Sequence, residues 1–188
     1  MQIETISGSI AEVICDTIII SLFENTSQPA GAIGAVDAAL GGRISAVIKD
    51  KPDSGKYGRT TVFHAGGSLG AKHVILLGLG KKEEFTLDRL RGVAGVAIRA
   101  AQKLASRSVA TIVHGAGQAG LDHQAAAQAL VEGTVLGNYC FRCYKTDKND
   151  KDEIYPELLY IVENDPRKTE AVTAGARVGK IVAAGVNL

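Results

Sequence analysis

The most constraining stretch of this 188-residue sequence runs from His73 to Ala105. Val74 to Leu77 is an uninterrupted run of branched apolar residues, closed by Gly78-Leu79-Gly80. A run this short and this apolar suits a strand buried on both faces. A charged turn, Lys81-Lys82-Glu83-Glu84, separates it from a second pattern. Leu87, Leu90, Ala94, Ala97, Ile98, Ala101 and Leu104 recur at steps of three and four, which predicts an amphipathic helix. Thr86 is placed to cap it, and Asp88 puts a negative charge in its first turn. A buried strand feeding a covering helix is the unit of an α/β sheet, and the remaining segments are read as layers around it.

Before this unit, Gln2–Ser7 reads as a first strand and Gly8-Ser9-Ile10 as a turn. Thr17–Leu22 has the pattern of a buried strand. Residues 24–31 hold Asn, Ser, Pro and Gly and read as a loop. Ala32–Leu40 and Ile44–Lys49 read as two short helices split by Gly41-Gly42, Asp50–Gly58 as a surface loop, and Arg59–His64 as a strand. After the central unit, Ser108–His114 is an apolar strand and Gly115–Gly120 a turn. Asp122 caps a helix predicted to reach Tyr139 or Phe141, with Ala126, Ala129, Leu130, Gly133 and Leu136 or Gly137 inside. Lys145–Glu153 is a charged, mobile loop, and Pro156–Glu163 a last strand. Asp165-Pro166 then starts a helix that runs through Val172, Gly175, Val178, Gly179, Val182 and Val186 to the end. That helix is still apolar and uncapped at Val186-Asn187-Leu188, so the sequence reads as cut there. Strands alternating with helices predict a three-layer α/β/α fold with a mixed central sheet.

Composition narrows the function classes. A chain that is 46% hydrophobic and 22% charged is an ordinary globular protein of one domain. A formal net charge of +1 gives no electrostatic case for nucleic acid or a membrane surface. No apolar run is long enough for a membrane span, and the first residues, Met1-Gln2-Ile3-Glu4, lack the basic start of a secretion signal. Cys15, Cys140 and Cys143 make no disulfide framework, which points to a reduced, cytoplasmic protein.

Several motifs invite chemistry. Gly115-Ala-Gly117-Gln-Ala-Gly120 fits the dinucleotide pattern between a strand and a helix. It follows a late strand, however, and the position for an acidic ribose partner falls near Tyr139, inside a helix, so a glycine-rich turn is the favoured reading. Cys140-Phe-Arg-Cys143 is a lone C-x-x-C at a helix C-terminus, where the dipole works against a thiolate, and no second ligand pair completes a zinc site. Gly78-Leu-Gly80-Lys81-Lys82 could hold an anion or be a solvated turn. His64, His73, His114 and His123 each stand alone and read as strand-end or surface residues. Gly175-x-x-x-Gly179 reads as a helix-packing motif. No catalytic, cofactor-binding or metal-binding residue is assigned from these patterns.

Two resemblances add to this. Gly8-Ser-Ile10, Asp16-Thr-Ile-Ile-Ile-Ser21, Asn25 and Ala30-Gly-Ala-Ile33-Gly-Ala-Val-Asp-Ala-Ala-Leu-Gly-Gly42 resemble the opening of a macro domain. Ser9 stands where that family has its adenine-recognising aspartate, Ser21-Leu22-Phe23-Glu24 replaces most of its asparagine-containing strand end, and Ala30-Gly31-Ala32 replaces its triple glycine. These departures count against ADP-ribose binding.

Along its whole length the sequence is also similar to the N-terminal domain of the two-metal leucine aminopeptidases. Ile75-Leu-Leu-Gly-Leu-Gly-Lys81, Leu90-Arg91 and Glu132-Gly-Thr-Val-Leu-Gly-Asn-Tyr-Cys-Phe-Arg-Cys-Tyr-Lys145 carry that similarity. Cys140 and Cys143 occupy its variable positions. The resemblance implies a macro-domain-like fold over residues 1–188, with about 166–188 starting the helix that leads to a C-terminal catalytic domain. It places two divalent ions, zinc or manganese, in that other domain and none in this chain. Its partners would be that domain, sister subunits of a homo-hexamer and, through the whole enzyme, peptide substrates. This chain by itself is then expected to be inactive. The alternative is a free-standing module that binds ADP-ribose or another nucleotide.

Overall fold

The structure, a computed structural model, describes residues 1–139 and 154–186. The Lys145–Glu153 loop, the Cys140–Cys143 pair and the last two residues, on which sequence expectations fell, lie outside the described residues. The strands are β1 (Gln2–Ser7), β2 (Cys15–Leu22), β3 (Thr60–His64), β4 (Ala71–Gly78), β5 (Ser108–Thr111) and β6 (Leu158–Glu163). The α-helices are α1 (Gly31–Ala39), α2 (Arg43–Asp50), α3 (Leu87–Lys103), α4 (His123–Asn138) and α5 (Pro166–Val186).

The six strands form one sheet in the order β1-β6-β5-β2-β4-β3. All neighbours are parallel except β3, which pairs antiparallel with β4 at one edge. The sheet is therefore mixed. β2 and β4 lie inside it and are buried on both faces, as their unbroken apolar runs require. Alternate side chains feed two cores. Ile19, Ile75 and Leu77 pack against Leu90 and Ile98 of α3 and Leu130 of α4. Ile18, Ile20, Val74 and Leu76 pack against Val36 of α1 and Ile44 and Ile48 of α2. Helices on both faces complete the three layers.

Capping follows the sequence closely. Thr86 Oγ1 accepts from Arg89 N–H at 3.3 Å, and Asp122 Oδ2 accepts from Ala125 N–H at 2.9 Å. The start of α2 uses a different device. Its N-cap position is Gly42, in the left-handed region, with no side chain to offer. Asp37, buried in α1, reaches across the Gly41-Gly42 turn instead. Its Oδ1 accepts from Ile44 N–H at 2.7 Å and Ser45 N–H at 3.2 Å, and its Oδ2 accepts from the Ser45 hydroxyl.

One sequence expectation needs correction. β5 stops at Thr111 rather than His114, because the chain turns His114 inward to satisfy buried hydroxyls. Residues 50–58 lie mostly at the surface, as expected, with only Ser54 and Gly55 buried among them. Pro52–Gly55 forms a 3-10 turn that presses Gly55 against the Phe23 carbonyl and buries Ser54. The inward face of α5 is Val172, Gly175, Ala176, Gly179 and Ala183, whereas Val178, Val182 and Val186 are exposed with Ile181. At the end of α4, Gly137 faces α3 and Leu136 faces solvent.

Candidate functional site

In an open α/β sheet, ligands bind beyond the carboxyl ends of the strands. A cleft of about 270 Å³ lies there, over the ends of β1, β5 and β6. Its floor is Gly8, Ser9, Ile112, Val113 and Val162. One wall is the start of α1, with Gly31, Ala32 and Ala35, and the other carries Ala116, His123, Glu163 and Lys168. A larger hollow of about 510 Å³ lies beyond the ends of β2 and β4, among residues 25–29, Lys49, Lys51 and the Pro52–Gly55 turn. It is lined also by Leu22 of β2 and by Ser45 and Ile48 of α2; the first cleft, at the ends of three strands and the start of α1, is the better candidate.

Local sequence explains the frame of the cleft. Ala30, the N-cap of α1, provides no side-chain bond to the helix, and the first turn has no acidic residue. The first N–H groups of α1 and its positive dipole end therefore stand at the wall of the cleft without a side-chain acceptor. Lys168 adds a positive charge, partly countered by Asp165 at 3.6 Å, and Glu163 Oε1 is held by the N–H of Asp165 at 2.9 Å. Such an arrangement can hold a polar or anionic group.

Part of the segment that carries the macro-domain resemblance meets here, whereas Asn25 lines the larger hollow. Ser9, Gly31 and Ala32 all line the cleft. The Gly115–Gly120 turn contributes only Ala116, and Gly115 is committed to packing under Phe85 and Phe23. The Gly78–Lys82 turn lies elsewhere, with Lys81 paired to Glu84 at 3.4 Å. Lys168, Glu163 and Asn164 give no signal as a motif in the sequence; strand-end position is what brings them to the site.

Among the described residues, the buried imidazole is bonded to two hydroxyls and to no carboxylate. His114 is 1% exposed. Its Nδ1 lies 3.0 Å from Ser21 Oγ and its Nε2 lies 3.1 Å from Thr111 Oγ1. Thr111 donates its hydroxyl proton to the carbonyl of Ile112 at 3.3 Å, so it accepts from Nε2–H, and Nδ1 accepts from Ser21. Burial pushes the imidazole down to about 4, and it stays neutral. It is a structural group linking β2 to β5. Among the described residues, no group of three or more His, Cys, Asp or Glu is placed to hold a metal.

The aminopeptidase-like motif residues serve packing. Arg91 Nε donates to Glu132 Oε2 at 2.5 Å, and Gln128 Nε2 donates to Glu132 Oε1 at 2.7 Å. Gly133 meets the Arg91 carbonyl, and a Cβ at Gly137 would stand 2.6 Å from the Cα of Gly95. α4 is pressed as closely from the other side, where Gly175 and Gly179 of α5 meet the carbonyls of Gln124 and Gln128. The G-x-x-x-G sequence is thus a helix-packing motif.

Fold and cleft define the class as a macrodomain-like α/β fold. The Trypanosoma brucei macrodomain in complex with ADP superposes with a TM-score of 0.70 at 14% identity, covering 93% of this chain and 68% of that one. An Oceanobacillus iheyensis macrodomain mutant with ADPR gives 0.70 at 13%, covering 97% and 94%. A tomato leucine aminopeptidase mutant gives 0.76 at 20%, covering 100% of this chain and 37% of that one. The chain belongs to the cytosol aminopeptidase family, whose N-terminal domain matches residues 19–148. A probable cytosol aminopeptidase of Alkaliphilus metalliredigens is 31% identical over 183 residues, 97% of this chain and 36% of that protein. One from Geobacter sp. is 29% identical over 188 residues, 100% of this chain and 37% of that protein. The chain thus spans little more than a third of these relatives. No single described helix is long and apolar enough to cross a membrane, and the bent pair α1–α2 packs Ile33, Val36, Ile44 and Ile48 into the core.

Proposed function

We propose that this chain serves as the non-catalytic N-terminal domain of a cytoplasmic, metal-dependent leucyl aminopeptidase, acting in assembly, substrate access or regulation. In this reading residues 1–188 form one domain, and α5 begins the link to a catalytic domain. The observation that carries it is the use made of the motif residues: Arg91, Glu132, Gly133 and Gly137 join α3 to α4 as packing groups. The two zinc or manganese ions of the whole enzyme do not fit the described residues of this chain, which gather no three ligands in one place. Sister subunits of a hexamer are the other expected partners.

The test is hydrolysis of leucine amide by the purified chain with zinc or manganese. No turnover above background is expected. Turnover that scales with protein concentration and disappears with chelator would falsify this reading.

A second reading is supported by the cleft itself. The uncapped start of α1 and Lys168 suit a phosphate, and the fold neighbours include macrodomains solved with ADP and ADPR. Against it stand Ser9 and Ala30-Gly31-Ala32, which depart from the macro-domain pattern in the cleft. Calorimetric titration with ADP-ribose decides. No heat at hundred-micromolar ligand is expected, and a micromolar isotherm would make nucleotide binding the leading function.

A further inference from the structure

His64 and His73 lie outside the cleft and outside the helix contacts. β3 and β4 are antiparallel, with His64 directly opposite His73. Ala65 N–H donates to the Lys72 carbonyl at 2.9 Å, which makes 65 and 72 a hydrogen-bonded pair. The next pair, His64 and His73, is therefore a non-hydrogen-bonded one, the position where opposed side chains come closest. Their ring centres are 5.0 Å apart, with the planes at 64°.

That spacing has a chemical counterpart. A zinc–imidazole bond of about 2.0–2.1 Å puts each ring centre about 3.2 Å from the ion, so two rings on one ion at about 90–110° are about 4.5–5.2 Å apart. The observed separation falls in that range. Access is also right. His64 is exposed on the edge strand, so an ion reaches it without unfolding. His73 is partly exposed; its Nδ1 is buried and without a hydrogen-bond partner among the described residues, which leaves Nε2 as the nitrogen to take an ion. The surrounding charges are spoken for. The Lys72 ammonium is paired to Asp16 Oδ1 at 2.8 Å, and Arg43 Nη1 donates to the His64 carbonyl at 2.8 Å, which steadies the strand end.

We propose that His64 and His73 form a two-imidazole chelate for a late divalent transition-metal ion, Cu²⁺, Ni²⁺ or Zn²⁺, at the outer edge of the sheet. Imidazole is a ligand these ions favour. The protein supplies two ligands and water the rest, so the site is exchangeable, unlike a closed structural zinc centre. A bound ion staples β3 to β4 beside the hairpin that joins them.

The experiment is titration of the full chain with CuCl₂, followed by calorimetry and by electron paramagnetic resonance of the bound ion. One equivalent with hyperfine splitting from two nitrogens is expected. His64→Gln and His73→Gln should each weaken it at least tenfold, while a Cys140→Ser/Cys143→Ser double variant keeps it. His64 is exposed, so its variant reads binding on an intact fold even if His73→Gln proves unstable. The proposal is overturned if His64→Gln binds like the parent chain, if the double cysteine variant loses the equivalent, or if the parent chain takes up none at millimolar copper.

Discussion

Arg91 and Glu132, 41 residues apart in sequence, meet with Nε 2.5 Å from Oε2 and tie α3 to α4. The carboxylate side is buried, with 7% of the Glu132 side chain exposed, whereas 36% of the Arg91 side chain is exposed. The hydrogen bond to Glu132 holds the Arg91 guanidinium above its ordinary range, and Asp88 at 2.7 Å adds to it. Removing the arginine strands a buried carboxylate that keeps only the Gln128 amide.

Arg91→Ala should therefore destabilise the chain by about 2 kcal/mol, below the usual cost of breaking a buried pair because the guanidinium is partly hydrated. Glu132→Gln, which keeps a polar acceptor in place, should cost less. Urea unfolding of both variants and the double variant gives the coupling. An Arg91→Ala chain as stable as the parent would show the pair to be incidental.

Gly137→Ala should destabilise by about 1–3 kcal/mol, because the new methyl meets the Gly95 backbone and the Ile98 side chain. Gly185→Ala is the control. It sits in α5 with nothing within 4 Å of the added methyl, and alanine's helix preference should leave stability unchanged or raise it by up to about 1 kcal/mol. Thermal midpoints that shift equally in the two variants would contradict the close crossing of α3 and α4.

Asp37→Ala removes the acceptor shared by two N–H groups and a hydroxyl at the start of α2. A loss of about 1–2 kcal/mol is expected, at the upper end for a cap because the carboxylate is buried. Asp37→Asn should recover part of it. Far-ultraviolet circular dichroism along a denaturant series measures both.

His114 makes stability depend on pH in a defined window. Burial lowers its folded value to about 4, against an ordinary 6.5 in the unfolded chain. Above about 6.5 neither state is protonated, and the contribution is complete. Between about 6.5 and 4 only the unfolded chain takes up the proton, so stability falls as pH falls, by about 3 kcal/mol in all. Below about 4 both states are charged and the slope ends. His114→Asn should flatten this part of a urea-midpoint profile; an unchanged slope would place the titration elsewhere.

The secondary structure was largely legible because its signals are local. The Val74–Leu77 run, the three-and-four spacing of α3, and the caps Thr86 and Asp122 each act within a few residues of where they are read. Packing decided what local pattern left open. Val178 and Val182 are apolar yet exposed, because the close crossing with α4 selects the small residues Gly175, Ala176, Gly179 and Ala183 for the inner face. His114 looked like a strand end because nothing near it in sequence announces Ser21, 93 residues earlier, as its partner. The cleft was half visible: Ser9 and Gly31-Ala32 stood out through their likeness to a macro domain, whereas Lys168 and Glu163 are ordinary until β6 is placed beside β1.

By itself, the sequence determined the order and kind of the elements, the two-sided burial of β2 and β4, and the aminopeptidase-like motifs, since hydrophobic period and capping are properties of neighbouring residues. Only the tertiary structure decided what those residues are for. It set Arg91 against Glu132, carried Asp37 across a turn to cap α2, and brought His64 opposite His73. Such pairings depend on strand register and helix crossing. Those follow from burying both faces of the sheet at once and cannot be resolved one segment at a time.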